Sequence, residues 1–174
     1  MVCRTYRGLR PRFNRVGNAV PAPFAAELAD EAATLALGAR LGEMLRPGDF
    51  VCLRGGLGAG KTTLARGAVR RVAEEHEVPS PTFTLVQTYD AGGFELWHAD
   101  LYRLEAPEEV HALGLLAVRD EVAALVEWPE RLGPLLPPDA LEVELMHEGD
   151  GRTAHLRAPE HTDWAARLKE AGFG

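Results

Sequence analysis

Residues 55–62 read Gly-Gly-Leu-Gly-Ala-Gly-Lys-Thr and meet the pattern Gly-x-x-x-x-Gly-Lys-[Ser/Thr] at each fixed position. The pattern is a description of phosphate chemistry. Glycines let the backbone turn its N–H groups toward a polyphosphate, the lysine adds charge at the outer phosphates, and the hydroxyl serves the accompanying magnesium. Gly56, Leu57, Gly58, Ala59, Gly60, Lys61 and Thr62 are therefore candidate phosphate-binding residues, with Thr62 also a candidate metal ligand. The chain has two lysines, Lys61 and Lys169, and otherwise uses arginine. A composition that avoids lysine has kept one in the loop, where a compact ammonium suits phosphate as a point charge.

Nucleotide hydrolysis also needs a carboxylate near the metal, at the C-terminal edge of a buried strand. Two residues fit. Asp100 ends Phe94-Glu95-Leu96-Trp97-His98-Ala99, and Glu127 ends Ala123-Ala124-Leu125-Val126. Either can hold magnesium, and either can orient the attacking water. Ser80-Pro81-Thr82-Phe83-Thr84 follows the helix after the loop, where nucleotide-switch proteins place a phosphate-sensing segment; it also reads as a plain turn. Trp97 and Trp128 are expected to be packing residues. His98 can carry a proton, but a lone strand histidine is expected to be a satisfied core group.

These residues need elements to hold them. Phe50-Val51-Cys52-Leu53 is an apolar strand before the loop. Residues 63–75 carry Leu64, Ala68, Val69 and Val72 at helical spacing. Strand, loop and helix in that order place an anion at a helix N-terminus. Asp30 is a plausible N-cap for a helix running to about Arg46, stopped by Pro47-Gly48. Strands are predicted over 83–89 and 94–99, joined by Asp90-Ala91-Gly92-Gly93, and over 123–126. A short helix starts at Pro107, a hairpin pairs 141–146 with 153–156, and a closing helix spans 163–171. The expected architecture is α/β, a small P-loop nucleoside triphosphate hydrolase fold whose mixed parallel and antiparallel sheet is flanked by helices.

With 174 residues the chain suits one domain with a sizeable core, taken as residues 20–174. Residues 1–19 form a basic arm with five arginines and no acid; the remainder carries 14 basic against 26 acidic residues. An acidic body argues against broad nucleic-acid binding by the chain alone. The arm reads as a loose tail, or as a contact for RNA or an acidic partner. No apolar run approaches membrane-spanning length. Cys3 and Cys52 suggest neither a disulfide framework nor a zinc site and fit a reducing cytoplasm.

Four segments in order and spacing closely resemble the TsaE family, also called YjeE: Leu-Gly-Ala-Gly-Lys-Thr-Thr (57–63), Ser-Pro-Thr-Phe-Thr-Leu (80–85), His-Ala-Asp-Leu-Tyr-Arg-Leu (98–104) and Leu-Val-Glu-Trp-Pro-Glu (125–130). The resemblance covers about residues 28–170, and the arm departs from it. It implies a cytoplasmic bacterial ATPase, with ATP and Mg²⁺, that supports the TsaB–TsaD complex in making threonylcarbamoyladenosine (t6A) in tRNA; tRNA is met only through that complex. By matching position it implies Lys61 and Thr62 at the phosphates and magnesium, Asp100 as a catalytic carboxylate and Glu127 assisting the metal. It also implies Thr63 and Thr82 on the phosphate side, and Asp30, Gly151 and Arg152 near the rest of the nucleotide. A small-molecule kinase of the P-loop class and a nucleotide-gated binding module are the rival readings. No Asn-Lys-x-Asp guanine motif is present.

Overall fold

The computed structural model describes residues 24–149 and 151–173; the arginine arm 1–19 lies outside them. Seven strands form one sheet: β1 (Phe24–Leu28), β2 (Phe50–Arg54), β3 (Val86–Asp90), β4 (Glu95–Asp100), β5 (Val122–Glu127), β6 (Leu141–Glu148) and β7 (Gly151–Arg157). Their spatial order is β1-β7-β6-β2-β5-β4-β3. The inner pairs β6–β2, β2–β5 and β5–β4 are parallel, and the outer pairs are antiparallel. The sheet is thus mixed, as expected, with its parallel part under the loop.

The inner strands are apolar on both sides because both sides are covered. Val51, Leu53, Ala123 and Leu125 face one buried cluster, which includes Leu37, Leu64 and Leu168. Phe50, Cys52, Ala124 and Val126 face the other, closed by Val110, Leu115 and Leu132. The first face is covered by helices α1 (Glu31–Met44), α2 (Lys61–Val72) and α3 (Trp164–Glu170). The second lies under two 3-10 segments, Pro107–Leu113 and Pro129–Leu135.

Helix α1 begins at the predicted cap: the Asp30 carboxylate accepts from the Ala33 N–H at 2.8 Å. Helices α1 and α2 approach closely at glycines. A Cβ at Gly38 would lie 1.9 Å from the Leu64 carbonyl oxygen, and one at Gly67 2.1 Å from that of Leu35. This backbone-to-backbone seat fixes where α2, and hence the loop, points.

Two local expectations are corrected. Helix α2 starts at Lys61, not Thr63, and ends at Val72. Residues 81–84 are a turn, not the start of a strand: the Leu85 N–H bonds back to the Pro81 carbonyl, and β3 begins at Val86. Strand β1 and the Pro129–Leu135 segment had no sequence expectation. Strand β1 is a five-residue edge strand with alternating exposure, so its apolar signal is short.

Candidate functional site

Gly60 is the residue before α2 and has φ +106°, a left-handed conformation that suits glycine. Gly55, at φ +134°, sits so close to β6 that a Cβ would lie 2.5 Å from the Leu145 carbonyl oxygen. The loop is therefore shaped by glycines at both ends. The first helical N–H to bond back is that of Leu64, to the Gly60 carbonyl at 2.9 Å. The amides of Lys61, Thr62 and Thr63 stand at an open helix end, where the partial positive charge favours an anion.

Lys61 is buried against the loop it belongs to. Its Nζ donates to the Gly55 and Gly56 carbonyls, each at 2.8 Å, and lies 4.1 Å from the centre of the Trp128 ring. Burial pulls the ammonium below the usual lysine range, against Glu127, Glu130 and Asp100, which favour its charge.

The two candidate carboxylates meet. Asp100 and Glu127 are register partners at the ends of the parallel strands β4 and β5, so they share one face and one edge. Both are almost fully buried. Asp100 Oδ2 accepts from the Thr82 hydroxyl at 2.8 Å, and Oδ1 from the Tyr102 N–H at 3.0 Å. The Ser80 hydroxyl pairs with that of Thr82, also at 2.8 Å. The turn at 81–84 is what brings Thr82 inward while Phe83 stays 81% exposed.

Glu127 is held from two sides. The Thr62 hydroxyl donates to Oε1 and Oε2 at 2.8 and 3.1 Å, and His98 Nε2 lies 2.9 Å from Oε1. Giving its proton to Glu127 leaves the lone pairs of the Thr62 oxygen for a cation. A hydroxyl and a carboxylate are the hard oxygen donors that magnesium takes. Among the described residues no group of three or more His, Cys, Asp or Glu could hold a metal by itself. Magnesium is commonly held by one or two protein oxygens plus substrate phosphates, so this donor set fits it.

A cavity of about 290 Å³ opens over these groups. Of the predicted residues, Leu57, Gly58, Gly60, Lys61, Thr62, Thr63, Thr82, Asp100, Glu127 and Arg152 line it. Gly56 lends its carbonyl to Lys61, and Ala59 is buried behind the loop. Asp30 and Gly151 are not in the lining. The Asp30 side chain caps α1, whose first turn does come beside the loop: a Cβ at Gly60 would lie 3.4 Å from Thr34 Cγ2. Gly151 lines a neighbouring cavity with Glu27, Glu148 and Thr153, and Arg152 belongs to both cavities. The buried Arg152 Nε has no hydrogen-bond partner among the described residues. It would lie 3.5 Å from a Cβ at Gly60, so an unspent donor sits beside the loop where an anion would be bound.

Two lining residues escaped the sequence reading. Trp128 was expected only to pack, yet its indole forms a wall of the cavity, and its backbone is left-handed at φ +56° before a proline. Few bulky residues adopt that conformation, and strain of this kind clusters at functional sites. Tyr102, 4.9 Å from Trp128 ring to ring, completes the wall. Its position two residues after Asp100 was the available signal.

Strand, glycine loop and helix, with carboxylates on two adjoining strand ends, define a P-loop-like α/β fold, the kind that suggests a nucleotide-binding protein. The family model described as threonylcarbamoyl adenosine biosynthesis protein TsaE matches residues 28–154. The chain belongs to the TsaE family. It is 42% identical over 119 residues to the tRNA threonylcarbamoyladenosine biosynthesis protein TsaE of Rickettsia conorii, covering 68% of each chain. The Nostoc protein of the same name is 41% identical over 129 residues, 71% of this chain and 78% of its own. The crystal structure of Bacillus subtilis YdiB superposes with a TM-score of 0.71 over 89% of this chain and 97% of that one, at 24% identity, and so speaks to the fold alone. Among the described residues no helix is long and apolar enough to cross a membrane.

Proposed function

We infer that the chain binds ATP with Mg²⁺ on the glycine loop, hydrolyses it slowly, and in doing so supports turnover of the TsaB–TsaD complex in t6A biosynthesis. The observation that carries the hydrolytic part is the pairing of Asp100 and Glu127 across β4 and β5, one tied to Thr82 and the other to Thr62. A site that only bound phosphate would have no need of two buried acids facing it.

The division of labour follows from their partners. Glu127 shares the Thr62 hydroxyl, so these two would hold magnesium, which when bound neutralises charge on the outer phosphates. Asp100 has one contact on each oxygen and keeps further lone pairs open toward the cavity. It orients the attacking water in line with the terminal phosphate, while Thr82 and the Tyr102 N–H hold it still. Lys61 and the amides of Lys61–Thr63 carry the phosphates. Arg152 supplies a further cation beside Gly60. Catalysis on this plan is positioning plus charge stabilisation.

The test is reconstituted tRNA modification by TsaB and TsaD, scored over several turnovers with and without the chain. Adding the chain with ATP should sustain repeated turnover, and the Lys61→Ala chain should not. Equal modification with and without the chain would refute the reading.

A further inference from the structure

His98 is fully buried on β4, and among the described residues its ring makes one hydrogen bond, to Glu127. An ionised carboxylate only accepts, so Nε2 carries the proton and donates. Nδ1 has no partner among the described residues. A core position would be filled at lower cost by leucine, because a buried polar atom without a partner is destabilising. The imidazole is also not across from Glu127 in the sheet. His98 pairs with Leu125, and Asp100 pairs with Glu127, so the ring reaches diagonally along the strand to meet the carboxylate.

Glu127 Oε1 has two anchors, the Thr62 hydroxyl from α2 and the His98 ring from β4. Thr62 reaches Oε1 and Oε2 from the helix side only, and His98 adds the hold from the strand side. With both, its plane is fixed.

We propose that His98 is a positioning residue: it orients the Glu127 carboxylate for the magnesium that accompanies the nucleotide. The proposal rests on the reading of Glu127 as a metal-serving group. Partners that orient a metal ligand in this way are commonly worth 10- to 100-fold in metal affinity, and roughly that range is expected here.

The experiment uses the full chain and a fluorescent, non-hydrolysable ATP analogue, titrated with Mg²⁺ at fixed analogue and separately bound in the presence of EDTA. His98→Leu should raise the Mg²⁺ concentration for half-maximal binding about 10- to 100-fold. Its metal-free affinity should stay within about twofold, which a general loss of structure would not allow. His98→Gln, whose side-chain amide can donate from a similar reach, should restore the wild-type Mg²⁺ requirement. If the leucine variant does not fold, His98→Asn carries the same test, since its amide stops short of Glu127. Glu127→Gln serves as the reference. A normal Mg²⁺ requirement in His98→Leu or His98→Asn beside a shifted one in Glu127→Gln overturns the role of His98 alone. A normal requirement in Glu127→Gln overturns both this proposal and the reading beneath it. Equal shifts in His98→Gln and His98→Leu also overturn it, because the donor would then not matter.

Discussion

The Lys61 ammonium lies 4.1 Å above the centre of the Trp128 ring while it holds the Gly55 and Gly56 carbonyls. The indole sits one residue beyond Glu127, so the end of β5 touches both the Lys61 ammonium and the Thr62 hydroxyl at the start of α2. Two of the three ammonium protons are spent on the loop, and the ring face supports the charge that burial opposes.

Nucleotide on the loop should draw Lys61 toward phosphate and alter the surroundings of Trp128. Tryptophan fluorescence should change on adding ATP and Mg²⁺, and Trp128→Phe should lose the change although Trp97 and Trp164 remain. A full signal in that variant would place the reporter elsewhere. Lys61→Ala should weaken nucleotide binding roughly 10- to 150-fold, the equivalent of about 1.5–3 kcal/mol for a hydrogen bond to a charged group.

Asp100→Asn and Glu127→Gln should fail differently. Asp100→Asn should keep Mg²⁺-dependent nucleotide binding and lower kcat by about 10²–10⁴. Glu127→Gln should instead raise the Mg²⁺ concentration that nucleotide binding requires. Single-turnover hydrolysis and equilibrium binding, measured on both variants, separate the roles. A reversed pattern would exchange the two assignments.

Gly67→Ala should destabilise the protein by about 1–3 kcal/mol or more, because the new methyl meets the Leu35 carbonyl oxygen and backbone must move. Urea unfolding reads the loss. Since α2 carries the loop, nucleotide affinity should fall in the variant even under conditions where it is fully folded. Unchanged stability would mean that the two helices separate freely.

The Arg119–Asp139 contact, at 2.6 Å, predicts a small acid-dependent term. Burial raises the Asp139 carboxyl, but the hydrogen bond and charge of Arg119 outweigh it and hold the group below the usual aspartate range. Stability from this carboxylate is present above the unfolded value of about 3.9 and is lost as pH falls through the lower folded value. Asp139→Asn should be less stable near neutrality and should show a shallower decline between about pH 5 and 2. Parallel pH–stability curves would discount the contact. Asp139 is partly exposed, so solvent screening keeps the effect modest.

Much of the frame was legible because its signals are local. The loop pattern is eight consecutive residues, Asp30 is a cap read from its neighbours, and β2 and β5 are short apolar runs. Thr82 was harder. Phe83 and Leu85 alternate like a strand, yet the segment turns so that Thr82 can reach Asp100. Strand β1 draws its hydrogen bonds from β7, more than a hundred residues away, and its own five residues carry little of that.

The sequence alone determined that a glycine loop of phosphate-binding pattern stands between a buried strand and a helix, because backbone conformation there follows from adjacent glycines and periodic apolar residues. It also nominated Asp100 and Glu127, but left their roles interchangeable. Only the tertiary structure decided their partners. Pairing of β4 with β5 brings the acids to one edge, the glycine-lined crossing of α1 and α2 aims Thr62 at one of them, and the turn at Thr82 meets the other. The same pairing turned His98 and Trp128 from expected core residues into neighbours of the site. Contacts between residues 29 to 67 positions apart depend on sheet register and helix packing, and no local pattern encodes those.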